Sequence, residues 1–399
     1  MLELILIFSL AGILTGTITG LTPGLHINTI AILALAVHRT QDTDPLLLSC
    51  FIIAMSTTHS FMDFIPSIFF GAPDPATALT TLPTHLMLFK GKGYEALALS
   101  VLGGLFGMVI LLIFLTTIAD LVTPTYKTIR PAIPYILVLA IAFIIAGSGK
   151  WKRSLLIFIL SGLLGTITLD LHMINSNYTL FPLFAGLFGI SNILMSLENK
   201  SEIPKQKTDI KIKAKGTLKS SIAGFAGGLV AGIIPGLGSS QSAMLVQHIG
   251  RIKGAKNFII AVGTIGTIDI ILSFIAIYLI GNARSGVAIA VDSIIGNLTK
   301  DTLTIFVGVA FLSAGLSAIL TLKIGKIATR IIEKIDYKIL GTSIIILLTL
   351  MTVMFTSMTG LILLVTSTAL GIYAQMIGAR RSMLMGCLIV PTIMFFFEI

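Results

Sequence analysis

Apolar runs of about 20 residues, each long enough to cross a bilayer, alternate along this chain with short polar turns. The first run covers residues 3–20 and a shorter one covers 26–37, with a break between them. After a polar connection at 38–45 a helix is expected from about 46 to 65, ended by Pro66, because Pro lacks the N–H that a helix interior needs. A second interruption follows at Gly71-Ala-Pro73-Asp74-Pro75, then a short helix to Phe89 and a basic turn at 90–92. Spans are expected near 94–118, 132–147, 153–169 and 179–197. The polar segment Glu198–Lys219, with seven lysines, reads as a linker. Beyond it the series recurs: 218–234, a break, 239–250, a basic turn, a span at 257–280, and an interruption at Gly281-Asn282-Ala-Arg284-Ser285-Gly286. A short helix and spans near 302–322, 339–357, 361–377 and 382–398 complete the chain.

The recurrence is exact at one motif. Gly12-x3-Gly16-x3-Gly20-x2-Pro23-Gly24-Leu25 returns as Gly224-x3-Gly228-x3-Gly232-x2-Pro235-Gly236-Leu237, every position displaced by 212 residues. Glycines four apart share one helix face and let another backbone come close. The Pro-Gly pair then stops the helix, since Gly tolerates positive φ. His26, Asn28 and Thr29 follow the first break; Gly238, Ser239, Ser240 and Gln241 follow the second. Small polar residues of this kind suit the start of a new helix. The division expected is a first transmembrane repeat at 1–197, a basic linker at 198–217 and a second repeat at 218–399.

Composition fixes the class. Apolar residues make up 55% and charged residues 11% of 399, so the chain reads as an all-α polytopic membrane protein. No basic stretch or small-residue cleavage site opens it, and a removed signal peptide is not expected. The net charge of +10 fits cytoplasmic loops better than nucleic acid. Turns 90–92, 150–153, 198–219, 251–256, 323–338 and 380–381 hold 22 of the 27 Lys and Arg. With those turns in the cytoplasm, and with each Pro-Gly element a hairpin returning to its own side, the halves form two inverted-topology repeats. Both termini then lie outside. Cys50 and Cys387 sit in apolar runs without metal-type spacing, so neither a disulfide nor a zinc site is expected.

The breaks carry the candidate chemistry. A helix that starts inside the bilayer presents unpaired N–H groups and a partial positive charge, which suits an anion. Broken helices at matching places in two halves point to a transporter substrate site; the alternative is that Pro-Gly merely kinks packed helices. Substrate contact is therefore assigned to Pro23, Gly24, His26, Asn28, Thr29, Pro235, Gly236, Gly238, Ser239, Ser240 and Gln241. The second interruptions correspond at a displacement of 210, which matches Gly71 with Gly281 and Asp74 with Arg284. They read as re-entrant loops built on Gly71, Pro73, Asp74, Pro75, Asn282, Arg284, Ser285 and Gly286, either contacting ion or substrate or holding plain loop charges. His59 and Asp63 are four apart on one helix face, and His59 matches Asp269. These three are candidates for coupling to Na+ or H+, since ionisable groups within spans mark ion paths. His85 and His248 are expected at the membrane interface and Phe395–Phe397 against lipid. No H-E-x-x-H, P-loop or G-x-S-x-G occurs, so an enzyme is not expected, nor a cofactor.

Three stretches resemble the TctA family, the large membrane subunit of tripartite tricarboxylate transporters. GTITGLTPGL at 16–25 is similar to the family's first Pro-Gly motif, residues 44–107 to its next block, and GLVAGIIPGLG at 228–238 to its second-half motif. The resemblance implies an inverted-repeat permease for small organic carboxylates in the prokaryotic plasma membrane, driven by an ion gradient. It also implies an extracytoplasmic binding protein and a small membrane subunit as partners. The chain departs from the family in its length, in Gly281–Gly286 where Pro-Gly is common, and in Phe61-Met-Asp-Phe64 where glycines are common. A lipid-phosphate flippase of the polyprenyl-phosphate type is the alternative, since Pro-Gly loops occur there too.

Overall fold

The computed structural model describes residues 1–25, 27–41, 43–170, 176–198, 203–210, 216–234, 237–281, 283 and 285–397. In order, the helices of the first half are α1 (Leu2–Leu21), α2 (Ile27–Gln41), α3 (Pro45–Met62), α4 (Thr81–Leu88), α5 (Gly93–Ile129), α6 (Ile133–Ala146), α7 (Trp151–Asp170), α8 (Ser176–Phe184) and α9 (Ser191–Glu198). The second half continues with α10 (Thr217–Ile233), α11 (Ser239–His248), α12 (Ala255–Ile280), α13 (Gly286–Ile295), α14 (Lys300–Ile332), α15 (Tyr337–Met376) and α16 (Gly386–Phe397). Among the described residues there is no strand, and eight helices are long and apolar enough to cross a membrane. Two π-helical turns occur, Pro66–Phe70 after α3 and Ala185–Ile190 between α8 and α9.

Local chemistry explains the boundaries. Asp44 starts α3 by accepting from the Leu46 and Leu47 N–H groups, with Pro45 in the first turn, where its missing donor does no harm. Gly71 and Gly281 end the α3 and α12 rods with φ of 67° and 60°, the left-handed conformation that favours glycine. One expected boundary moves. The basic stretch 323–338 is not a turn throughout: α14 carries Lys323, Lys326 and Arg330 in helix to Ile332, as good helix formers do when no Pro intervenes. The spans expected at 339–357 and 361–377 follow one another directly, divided where the backbone leaves helical geometry at Ser357, whose φ is 57° and ψ −155°.

The glycine motifs do what their spacing implies. Gly12, Gly16 and Gly20 of α1 lie against α3, where an added Cβ would run into the Phe51 carbonyl, the Met55 carbonyl and the Met62 side chain. Gly224, Gly228 and Gly232 of α10 lie against α12, facing the Ala261 carbonyl, Ile268 and Leu272. A second pair of close approaches joins the halves. Gly103 of α5 abuts the Ile260 carbonyl of α12, Gly263 abuts the Ser100 carbonyl, and the Thr264 hydroxyl donates to the Gly103 carbonyl at 2.8 Å. On the other side α14 packs on α3, with Ser317 Oγ donating to Thr58 Oγ1 at 2.8 Å. Each half therefore contributes a long helix that packs against the other half's central rod. Burial follows: within the apolar 18-residue stretch of each helix, 83% of the residues are buried in the α3 rod and 89% in α12, against 33–39% in α1, α7, α14 and α15. Those outer helices present Leu14, Ile18, Ile319, Met354 and Ile362 to the surroundings, an apolar exterior that lipid covers.

One peripheral expectation changes. His85 is buried rather than interfacial, set edge-on to the Phe89 ring at 5.2 Å and facing the backbone at Gly71. Of the terminal phenylalanines Phe395 and Phe397 are exposed, as expected of a lipid-facing end, with Phe397 edge-on to the Tyr135 ring at 5.3 Å, whereas Phe396 is partly buried. Part of the linker is held firmly. Gln206 donates to the Leu88 carbonyl and accepts from the Gly93 N–H, while its own N–H donates to Glu333 at 2.7 Å.

Candidate functional site

The helices end alike before the two breaks. At the first, Thr22 ends α1 in extended conformation (φ −99°, ψ 105°) and the Leu25 N–H donates to the Thr22 carbonyl at 3.2 Å. At the second, Ile234 ends α10 at φ −90° and ψ 120°, and the Leu237 N–H donates to the Ile234 carbonyl at 3.4 Å. Gly24 adopts a φ of 82°, as expected of a glycine after a helix-stopping proline. His26, Pro235, Gly236, Asn282 and Arg284 lie outside the described residues, as does the side chain of Thr29.

Both breaks and both second interruptions converge on one cavity of ≈ 320 Å³. Asn28 lines it from α2, and Ser56, His59, Ser60 and Asp63 line it from α3. Asp74 and Pro75 come from the first interruption, Gly238, Ser239, Ser240 and Gln241 from the start of α11, Asp269 and Ser273 from α12, and Ser285 from the second interruption. Pro23 and Gly24 shape the break beside the cavity rather than line it: Gly24 packs on the Phe181 ring of α8. Gly71 caps the α3 rod, Pro73 packs on Gly189, and Gly286 lies against the Asn28 amide.

Two hydrogen bonds lock each break to the opposite half. Asn28 Oδ1 accepts from the Val287 N–H at 3.1 Å, in the first turn of α13. Ser240 Oγ donates to the Pro75 carbonyl. Asn28 and Ser240 are 212 apart, and Pro75 ends the first interruption while Val287 directly follows the second, so each helix start is tied to the other half at matching places, by an accepting side chain in one case and a donating one in the other. The serines do not cap α11 as their type suggests. Ser239 Oγ instead donates to Asp269 Oδ2 at 2.6 Å, and the Gln241 side chain accepts from the Gly238 N–H at 3.1 Å. The first N–H groups of α11 have no carbonyl four residues back, and Ser239, Ser240 and Gln241 line the cavity.

The acidic groups are unevenly placed. His59, Asp63 and Asp74 offer atoms that all lie within 4.8 Å of one another, and His59 Nε2 is 3.7 Å from Asp74 Oδ2. Asp269 belongs to the other half and pairs with Ser239 instead. The juxtaposition of His59 with Asp74 was not visible from the matched positions, which set Asp74 beside Arg284 by analogy alone. Thr19, Ser56, Ser60, Ser273 and Phe181 also escaped notice. Spacing could have found three of them: Ser56, Ser60 and Ser273 lie three or four residues from His59, Asp63 and Asp269 on the same helix faces.

A family model, that of the Tripartite tricarboxylate transporter TctA family, matches residues 6–386. The chain belongs to the TctA family. An uncharacterized protein of Methanocaldococcus jannaschii is 32% identical over 403 residues, covering 98% of both chains. No solved structure matches. The TctA membership and the eight apolar helices make this a multi-pass membrane protein and a subunit of a tricarboxylate-type transporter rather than a member of an enzyme family. TctA proteins work in tripartite systems with a binding protein and a small membrane subunit.

Proposed function

We propose that this chain is a secondary-transporter permease that moves small di- or tricarboxylates across the prokaryotic plasma membrane, coupled to an Na+ or H+ gradient. The carrying observation is the single cavity in which both Pro-Gly breaks and both second interruptions meet. In this reading the substrate carboxylates sit against the first N–H groups of α11 and of its counterpart α2, in the partial positive field of the helix starts. His26, Asn28, Thr29, Gly238, Ser239, Ser240 and Gln241 surround them, and Gly71–Pro75 and Gly281–Gly286 close the cavity as re-entrant loops. His59, Asp63 and Asp269 handle the driving cation, as ionisable groups in spans commonly do.

The halves act as inverted repeats, 1–197 and 218–399, rocking about the central α3 and α12 rods. The matched packing of α1 on α3 and α10 on α12 supports that division. The clasps Asn28–Val287 and Ser240–Pro75 would tie the helix starts to the loops that gate them. An extracytoplasmic binding protein would deliver substrate and a small membrane subunit would complete the assembly. The test is uptake of labelled carboxylates by liposomes holding the purified chain, with and without an imposed Na+ or proton gradient. Gradient-driven accumulation of at least one di- or tricarboxylate is expected; a chain that instead flips a polyprenyl-phosphate lipid and accumulates no carboxylate overturns the proposal.

A further inference from the structure

We infer that His59, Asp63 and Asp74 bind one divalent transition-metal ion on the first-half wall of the cavity, and that the ion enters transport as a chelate with the carboxylate substrate. The binding site rests on geometry alone; its part in transport rests on the carboxylate-permease reading above.

The imidazole is set up as a ligand. Thr19 Oγ1 donates to the Gly16 carbonyl at 3.2 Å, so its oxygen accepts from His59 Nδ1–H at 3.0 Å. The ring's other nitrogen, Nε2, lies 3.7 Å from Asp74 Oδ2. A proton on Nε2 would draw the carboxylate to a charge-assisted distance of about 2.7–2.9 Å, whereas the separation is 3.7 Å. Two atoms bound to one ion at about 2.0–2.2 Å lie roughly 3.0–3.5 Å apart. The observed gap therefore matches an ion after a shift of a few tenths of an ångström.

Asp63 supplies an independent sign. Its residue is 3% exposed, it lines the cavity, and its Oδ1 has no hydrogen-bond partner among the described residues. A buried carboxylate oxygen without a donor is costly, and a metal ion is the partner that the neighbouring Nε2 and Asp74 would share. Bringing the widest pair of ligand atoms from within 4.8 Å onto one ion takes a side-chain shift of about 1 Å at bond lengths of about 2.1 Å. One imidazole and two carboxylates suit Zn2+, Co2+ or Mn2+ better than Na+. The second half has Asp269, Ser273 and Arg284 at the corresponding positions, which is no such set, so the site is single. With His59 and Asp63 holding this ion, the coupling role given above to all three narrows to Asp269.

The experiment titrates Co2+ into the full chain, free of any polyhistidine tag and held in lipid nanodiscs, following the visible absorption of bound Co2+. One Co2+ per chain is expected. Asp63→Asn and Asp74→Asn, near-isosteric changes checked for a monodisperse chromatographic peak, should each weaken binding at least 10-fold. Thr19→Val should weaken it about 10–100-fold by freeing the imidazole, while Asp269→Asn retains it. No bound Co2+, or binding that survives both ligand changes, overturns the site. Carboxylate uptake that proceeds undiminished in excess EDTA overturns the chelate role and leaves the permease reading standing. A chain that binds Co2+ through Asp63 but moves no carboxylate keeps the site and removes the permease reading.

Discussion

Gly24→Ala is the change whose size the structure sets most directly. Gly24 holds a φ of 82°, and a Cβ there would lie 2.7–2.9 Å from three atoms of the Phe181 ring. The left-handed conformation costs a residue with a Cβ about 1–2 kcal/mol. Forcing the ring aside in a packed interior adds about 1–3 kcal/mol. The sum, about 2–5 kcal/mol, is roughly a 30-fold to 4,000-fold bias against the native break at about 1.4 kcal/mol per tenfold. The two contributions separate experimentally. Phe181→Ala in the same chain removes the clash and leaves the φ penalty, so a double-mutant cycle should return a coupling of about 1–3 kcal/mol. Thermal unfolding of the four proteins in one detergent supplies the cycle, and initial uptake rates in liposomes supply the functional readout. A Gly24→Ala protein that melts and transports like the parent would show that the break does not depend on this glycine. A destabilisation untouched by Phe181→Ala would refute the packing half of the estimate.

Further outcomes follow from the same contacts. Asn28→Ala leaves the Val287 N–H without its 3.1 Å acceptor, and should reduce apparent affinity by roughly 5–150-fold, the effect of about 1–3 kcal/mol for an orphaned buried donor; equal affinity in equilibrium binding would dismiss the clasp. Ser240→Ala should behave alike through the Pro75 carbonyl, as measured by the same binding curve. Asp269→Asn should abolish gradient-driven accumulation and spare carboxylate exchange, and unchanged accumulation would remove Asp269 from coupling. Cysteines placed at Lys205 and at the N-terminus should react with an impermeant thiol reagent from the cytoplasmic and external sides respectively; an N-terminus labelled only from the cytoplasm would end the hairpin reading of residues 3–37.

The helices and the place of the site were legible because they follow from local rules. A 212-residue repeat of glycines and Pro-Gly marks two helix–break–helix units, and in the structure both first helices end in extended conformation just before the Pro-Gly pair. The 210-residue match of Gly71 with Gly281 marked two further interruptions, and both glycines cap helices at positive φ. Partnership between distant segments was not legible. Periodicity says that α5 and α14 exist, but not that each packs on the other half's central rod. Residue type made Ser239 a helix cap, whereas a neighbouring buried carboxylate is the stronger acceptor and takes its hydroxyl. Asp74 gained His59 as a neighbour only because the chain folds back after Gly71. Charge in the stretch 323–332 suggests a turn, but Lys and Arg favour helix and α14 continues through it to Ile332.

Protection of the cavity by substrate tests the central claim most directly. Single cysteines at Ser60 on α3 and Ser273 on α12 would each face the cavity from a different half, while the native Cys50 and Cys387 are buried. A control cysteine at Ser382 lines a separate open pocket beside Arg380. The transported carboxylate should slow labelling of both cavity cysteines by a small thiol reagent, each to the same half-effect concentration, and leave the control unchanged. Labelling at Ser60→Cys and Ser273→Cys that ignores saturating carboxylate, in a protein that transports it, would place the substrate elsewhere and contradict the account.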